Sequence, residues 1–376
     1  MARYVGIILL LACAGCGVPT AEQSPSASPP ATTATASPTV APSASPSGSP
    51  SITPWIARTF QVAAVGNGGS ANVMALDKNA VYVLYQPQTQ QGPGTVDVIG
   101  TMLAQIDRKT GTVVTVGPFP GALALAIAGG ALWVAGGYSP DRPDASFLDR
   151  LDPFSLRVQQ HLSLPPQTGQ NAIFATLAGS GTSLWMGFGQ TLYRLSPVDG
   201  HTIATQPIGA DAAVTSLSIN PAGTVLYLGA NRYAMTSPTV YEWSVASGAL
   251  LASSSAAGGQ GLGGVQVAAA TDGVWVSFAT GMMGAVGHLR ASGLQPLPTA
   301  GERHSNGVRV FLADGVLWTT DGMTGLLTCA DPATGATRAS TAMPFGGVVI
   351  GDAQGVYLGG YEAVYLLHPD PACGIS

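Results

Sequence analysis

From residue 55 onward, short apolar runs alternate with turns rich in Gly, Asp, Asn and Pro. Runs of that length between turn residues predict strands, and few stretches are long enough for an amphipathic helix. One pattern repeats. An apolar triplet centred on an aromatic recurs as Val81-Tyr82-Val83, Leu132-Trp133-Val134, Leu184-Trp185-Met186, Leu226-Tyr227-Leu228, Val274-Trp275-Val276, Leu317-Trp318-Thr319 and Val356-Tyr357-Leu358. The seven aromatics lie 39 to 52 residues apart, which is the spacing of four-stranded units arranged around a ring.

Each triplet follows another apolar strand across a tight turn, such as Gly129-Gly130, Thr271-Asp272-Gly273 or Ala313-Asp314-Gly315. These are hairpin turns by chemistry. A third strand then ends in a polar, Gly-containing turn, as at residues 107–111, 197–200, 246–248, 291–293 and 331–335, and a fourth leaves it, as at 112–116 and 156–164. The seventh unit shows strands at 348–351, 356–359 and 363–367, with no fourth before residue 376. Residues 60–65 (FQVAAV) have no unit of their own and are expected to supply it. Pairing there would join the ends of the ring and cover a sheet edge. The expected fold class is therefore all-β: a seven-bladed β-propeller of four-stranded antiparallel blades, closed by an N-terminal strand and forming one domain over 55–376.

The N-terminal part reads differently. Arg3 precedes an apolar run, residues 4–12, that is too short to span a bilayer, and small residues follow. That is the layout of an export signal. Ala14-Gly15-Cys16 resembles the lipobox of bacterial lipoproteins, in which the cysteine is acylated and becomes the mature N-terminus; Leu11-Ala12-Cys13 is a competing register. The resemblance implies a signal peptide over 1–15, lipidation at Cys16, and a protein exported and lipid-anchored to the outer face of the bacterial cell membrane. An ordinary cleaved signal would instead release a soluble secreted protein. Residues 17–54 are dominated by Ser, Pro, Thr and Ala, and carry no charge between Glu22 and Arg58. Such a segment buries too little apolar surface to offset its ordering entropy, so it reads as a disordered tether, reaching on the order of 100 Å at about 3.1 Å per residue.

Composition narrows the function classes. Charged residues are 9% of the chain and the net charge is −5, with no basic run, so nucleic acid is not expected as a partner. The turns Asp107 to Gly111 and Asp331 to Gly335, each of the form Asp-x-x-Thr-Gly before a strand, resemble quinoprotein-like and YVTN-type repeats of bacterial propellers. Repeats that hold pyrroloquinoline quinone add a Trp after that turn. Residues 112–116 and 336–341 contain none, so no cofactor is expected. Cys13 and Cys16 belong to the export signal. Cys329 and Cys373 fall on the third strand of unit six and in the tail of unit seven, and in an oxidising compartment they read as a disulfide.

No catalytic residue or metal ligand set is expected: the G-x-S-x-G, H-E-x-x-H, Walker and EF-hand patterns do not occur. The five histidines are scattered, without a second His at ligand spacing. The seven aromatics read as blade packing. Connections between the first and second strands and between the third and fourth are expected to be short and to share one face. The opposite face gathers the long stretches 86–100, 137–145, 165–171, 231–238, 256–264 and 300–307. Candidate ligand-face residues there are Asp141, Arg142, Asp144, Asn171, Asn231, Arg232, Glu302, Arg303, His304 and Asn306, since loops on a rigid scaffold commonly carry binding. The reading is a monomeric module for an unknown protein or small-molecule ligand. The alternative is a propeller enzyme using the same face, either quinoprotein-like or a metal-dependent lyase resembling virginiamycin B lyase-like proteins, with Glu302 and His304 as the local pair.

Overall fold

The structure is a computed structural model and describes residues 55–63, 70–90, 96–98, 100–137, 146–165, 175–209, 212–232, 239–255, 264–280, 283–290, 304–305, 307–322, 324–343 and 347–374. Among them, seven four-stranded antiparallel sheets account for nearly all regular structure, and a three-residue hairpin pair (Gln88–Gln90, Val96–Val98) decorates the first. The inner strands are Ser70–Leu76, Ala122–Ala128, Ala175–Gly179, Ala212–Ile219, Gln266–Ala269, Val308–Ala313 and Val349–Asp352. Each packs against the next, and the seventh packs against the first. The ring is closed: this is a seven-bladed β-propeller.

Within a blade, burial falls from the inside outward for a simple reason. The second strands, for example Ala131–Gly136 and Leu184–Phe188, are sandwiched between neighbouring blades and are buried at every position. They therefore read as unbroken apolar runs. The outer strands Val158–Ser163, Thr202–Pro207 and Leu250–Ser255 alternate between exposed and half-buried. All seven predicted aromatics are at most 3% exposed, confirming their packing role. Several reach across to the next blade: the Tyr82 hydroxyl donates to the Pro153 carbonyl at 3.0 Å and Trp275 Nε1 to that of Pro332 at 2.8 Å.

The receiving turns explain their own sequence. Asp107 Oδ1 accepts from the backbone N–H groups of Lys109 and Thr110, and Asp331 Oδ1 from those of Ala333 and Thr334. Gly335 must adopt φ +75°, and a Cβ on it would stand 2.6 Å from the Trp275 ring. Blade two carries the same turn in a form that the sequence pattern did not reveal. Asp152 accepts from Phe154 and Ser155, and Leu156 takes the left-handed position at φ 55°. Its neighbour across the blades is Tyr82 rather than a Trp, and the two share one core cluster.

Closure occurs where expected, but with different residues. The outer strand of blade seven is Ile56–Gln61, paired antiparallel with Ala363–Leu367 from Ile56 opposite Leu367 to Gln61 opposite Ala363. The expected segment 60–65 overlaps it by two residues. The shift follows from the exposure gradient: an outer strand is mostly polar, and Ile56–Gln61 is exposed at four of its six positions. Trp55 and Phe60 anchor it, 5% and 4% exposed, against Trp318 and Tyr357.

Candidate functional site

Tight turns occupy one face of the ring. Inner and second strands are joined by two-residue connections at Gly129-Gly130, Asp314-Gly315 and Ala353-Gln354, and third-to-outer connections are the Asp-capped turns just described in blades one, two and six and turns capped by Ser196 and Ser244 in blades three and four. Blade five departs from this. Its third strand, Met283–Arg290, is followed by thirteen residues before an outer strand of two, His304–Ser305, pairs with Met283 and Gly284. Part of the stretch expected as a loop, 300–307, is thus strand, and blade five's outer connection is not short. A two-residue strand escapes an apolar-run criterion because it contains no run.

The predicted ligand-face residues divide accordingly. Asp141, Arg142, Asp144, Asn171, Glu302, Arg303 and Asn306 lie outside the described residues. Asn231 and Arg232 end the second strand of blade four, opposite Ala213 and Ala212 at the start of its inner strand. His304 faces Gly284 at the start of blade five's third strand. Strand direction puts all three on the face opposite the tight turns.

Three of the five histidines have structural partners. His161 Nδ1 lies 2.6 Å from Asp149 Oδ1 and the exposed His201 lies 2.7 Å from Asp199. Burial pushes the Asp149 carboxyl above its usual range, against the pull of His161. His288 is 2% exposed and stacked on Trp275 with ring centroids 4.6 Å apart. Neither of its ring nitrogens makes a hydrogen bond; Asp272 Oδ1, at 3.5 Å from Nε2, falls outside hydrogen-bond geometry. Loss of water lowers its pKa. Among the described residues, no group of three or more His, Cys, Asp or Glu comes together at metal-ligand distance. Cys329 and Cys373 form the expected disulfide, with Cα atoms 5.7 Å apart and both residues fully buried.

The inner strands enclose a central channel with a cavity of about 1020 Å³. Its wall mixes aliphatic side chains, Val73, Leu123, Leu177 and Ile350 among them, with polar groups. On one side, hydroxyls satisfy backbone groups of the next blade. Thr215 and Ser216 donate to the Val265 carbonyl at 2.6 and 2.7 Å, and Ser216 and Ser218 accept from the N–H groups of Val267 and Ala269. This stitches blades four and five together at their inner edges, where no ladder partner exists.

One charge breaks that pattern. Arg309, on inner strand Val308–Ala313 between the buried Val308 and Val310, is the sole Lys or Arg in the seven inner strands. It was not among the sequence-derived candidates, although a basic residue inside an apolar inner-strand run is a readable signal. Its side chain is exposed to the channel yet hemmed in by protein on enough sides that loss of bulk water lowers its pKa. Gln266 lines the same channel from blade five. The two are level: Arg309 precedes Ala313 by four residues as Gln266 precedes Ala270, and Ala313 pairs with Val316 across its turn as Ala270 bonds Gly273.

Comparison with known proteins places the fold in context. No protein family matches the chain, and no curated protein matches it either. Solved structures do. A chain of the mitotic checkpoint complex is similar over 86% of this chain and 98% of its own, with a TM-score of 0.61 and 12% identity. A chain of Kuenenia stuttgartiensis hydrazine synthase is similar over 79% of this chain and 95% of its own, with a TM-score of 0.54 and 11% identity. BamB from Moraxella catarrhalis is similar over 80% and 84%, at a TM-score of 0.49 and 13% identity. At such identities the likeness is one of fold.

Proposed function

We propose that the protein is a binding module of the bacterial envelope, acylated at Cys16, held by the tether 16–54 at the outer face of the cell membrane, and engaging a protein or small molecule through the face opposite its tight turns. The observation that carries the binding reading is the unlikeness of the two faces. On one, apart from blade five's thirteen-residue outer connection, capped turns leave little that could adapt to a ligand. On the other, connections of ten or more residues join the second and third strands of blades one and two, and link blade two to three and blade four to five, beside the end of the channel that holds Arg309. Loops on a rigid frame suit recognition, because the frame fixes their ends while their sequences vary.

Two measurements test the two halves of the proposal. Alkynyl-palmitate labelling of cells should mark the full chain and be lost in Cys16→Ser; labelling that survives until Cys13 is also replaced would move the anchor to Cys13. For the binding face, a photo-crosslinking amino acid at Asp144 or Asn306 should yield discrete adducts in intact cells, whereas one at Val198, on a tight turn, should not. Equal adducts from both faces, or none from either, would overturn the proposed orientation.

A further inference from the structure

We propose that the central channel binds an organic carboxylate, held by the Arg309 guanidinium with the Gln266 amide beside it and with its apolar body against the channel wall. This deepens, and rests on, the reading of the ring as a binding module, by naming a ligand class and a place. Three observations converge. First, among the described residues no carboxylate or other hydrogen-bond acceptor engages Arg309, whereas Arg108 is engaged by Asp352 and Arg338 by Asp331. The guanidinium thus faces the channel with no protein acceptor among the described residues, and an anion entering the channel can take it without breaking an ion pair of the fold. Second, Gln266 stands at the same height on the adjacent inner strand, and among the described residues no hydrogen bond engages its side chain, so donors from two blades address one level of the channel. Third, beside the hydroxyls of Thr176 and Ser277, much of the remaining wall is aliphatic, and Ser216 and Ser218 are already hydrogen-bonded within the protein.

The chemistry follows from that donor set. A guanidinium fork matches the two oxygens of a carboxylate in a planar, bidentate contact. One cation and one amide suit a single negative charge rather than a phosphate dianion, and the aliphatic wall around Val73, Leu123 and Ile350 suits a hydrocarbon portion. Orientation is set by charge as well. Among the described residues the one acidic residue lining the channel, Asp314, closes the same strand at its tight-turn end, five residues and roughly 16 Å from Arg309. A carboxylate is drawn to the Arg309 end, which opens on the face with the long connections. The carboxylate could belong to a free small acid or to the end of a peptide threaded from that face.

Calorimetric titration of the full chain with pentanoate, its neutral isostere pentanamide, and inorganic phosphate tests the site. The expected result is one saturable site for pentanoate with a Kd of about 1 mM or tighter, at least tenfold weaker binding of pentanamide, and no displacement of pentanoate by equimolar phosphate. Arg309→Met should weaken pentanoate at least tenfold, and Arg309→Lys should weaken it less, with the melting temperature of both variants near that of the parent. A hydrophobic tripeptide tested with a free and with an amidated C-terminus separates the two sources: preference for the free form over pentanoate indicates a peptide end. Unchanged pentanoate affinity in Arg309→Met, pentanamide binding as tightly as pentanoate, full displacement by phosphate, or no saturable binding would each overturn the proposal. Should either variant fold poorly, the Arg309 side-chain Nε–Hε resonance of the parent protein decides: it should shift on addition of pentanoate, and its constancy would overturn the site. Loss of the channel site with crosslinks from Asp144 intact would leave the binding-module reading standing, whereas saturable pentanoate binding without those crosslinks would remove the outer-face reading alone.

Discussion

Arg108 grips Asp352 with both guanidinium nitrogens, across the junction where the first blade meets the last. Arg108 follows directly on the third strand of blade one, and its side chain is 4% exposed; Asp352 ends the inner strand of blade seven and is 38% exposed. The same guanidinium donates to the Asp77 carbonyl at 2.8 Å and lies 5.5 Å over the Tyr357 ring. Separated by 244 residues in sequence, the two clamp the closure from the tight-turn face, while the strand Ile56–Gln61 closes it at the rim.

Asp352→Ala should therefore cost about 2 to 4 kcal/mol, somewhat below the range for fully buried pairs because Asp352 is partly solvated, since it strands the buried Arg108. Arg108→Met should cost less, because Asp352 can rehydrate. The Arg108 bond holds the Asp352 carboxyl below its usual range. Its contribution is thus complete above an unfolded-state pKa of about 3.9 and is lost as pH falls through the lower folded value. Denaturant unfolding at pH 7 and pH 3 checks both points: equal costs for the two substitutions, or an undiminished cost at acid pH, would contradict the clamp.

The closing strand makes a prediction about truncation. A chain starting at Trp55 should keep the stability of the full ring, whereas one starting at Ala63 loses Trp55, Phe60 and the rim pairing. Each buried apolar side chain removed forfeits roughly 1.5 to 3 kcal/mol, and the third strand Ala363–Leu367 is left as a bare edge. Melting curves and limited proteolysis of the two chains should separate clearly, and coincident curves would show that the strand does not close the ring.

Removing the disulfide should be costly for a similar reason. Cys329 and Cys373 are 44 residues apart in sequence, and the bond ties the short 3₁₀ turn Pro371–Cys373 to blade six. For a loop of that size the chain-entropy model gives about 4 kcal/mol. Cys373→Ser should lower the melting temperature and make it insensitive to reductant, while the parent should fall toward the variant when reduced. Two alkylatable thiols in the native, unreduced protein would refute the bond.

His288 gives the fold an acid-sensitive point. Burial lowers its pKa, opposed by Asp272 and reinforced by Arg290. Because the folded value lies below the unfolded one, about 6.5, stability is full above that pH and declines as pH drops beneath it, since the unfolded chain takes up a proton that the folded one refuses. His288→Phe should keep the stack on Trp275 and remove that decline. Parallel stability profiles for parent and variant between pH 7.5 and 5 would show that His288 does not cause it.

What the sequence alone determined were the features written locally. Continuous apolar triplets mark second strands because those strands are buried on both faces, and Asp-x-x-Thr-Gly marks the turns because one carboxylate must satisfy successive N–H groups while a glycine takes positive φ. Their count and spacing were enough for seven blades, and the lone pair of domain cysteines was enough for the disulfide. Other features needed the folded ring. Ile56–Gln61 is a strand by virtue of what it pairs with, and its polar sequence resembles any exposed segment until Ala363–Leu367 lies beside it. The same holds for His304–Ser305 in blade five. In the linear chain Arg309 shows only as a basic residue within an apolar run; it becomes a candidate site because the other inner strands enclose it in a channel and set Gln266 level with it. Arg108 and Asp352 likewise meet only when the two ends of the repeat come together. Local periodicity and turn chemistry are encoded within a few residues, whereas edges, channels and closure are decided by neighbours that are distant in sequence.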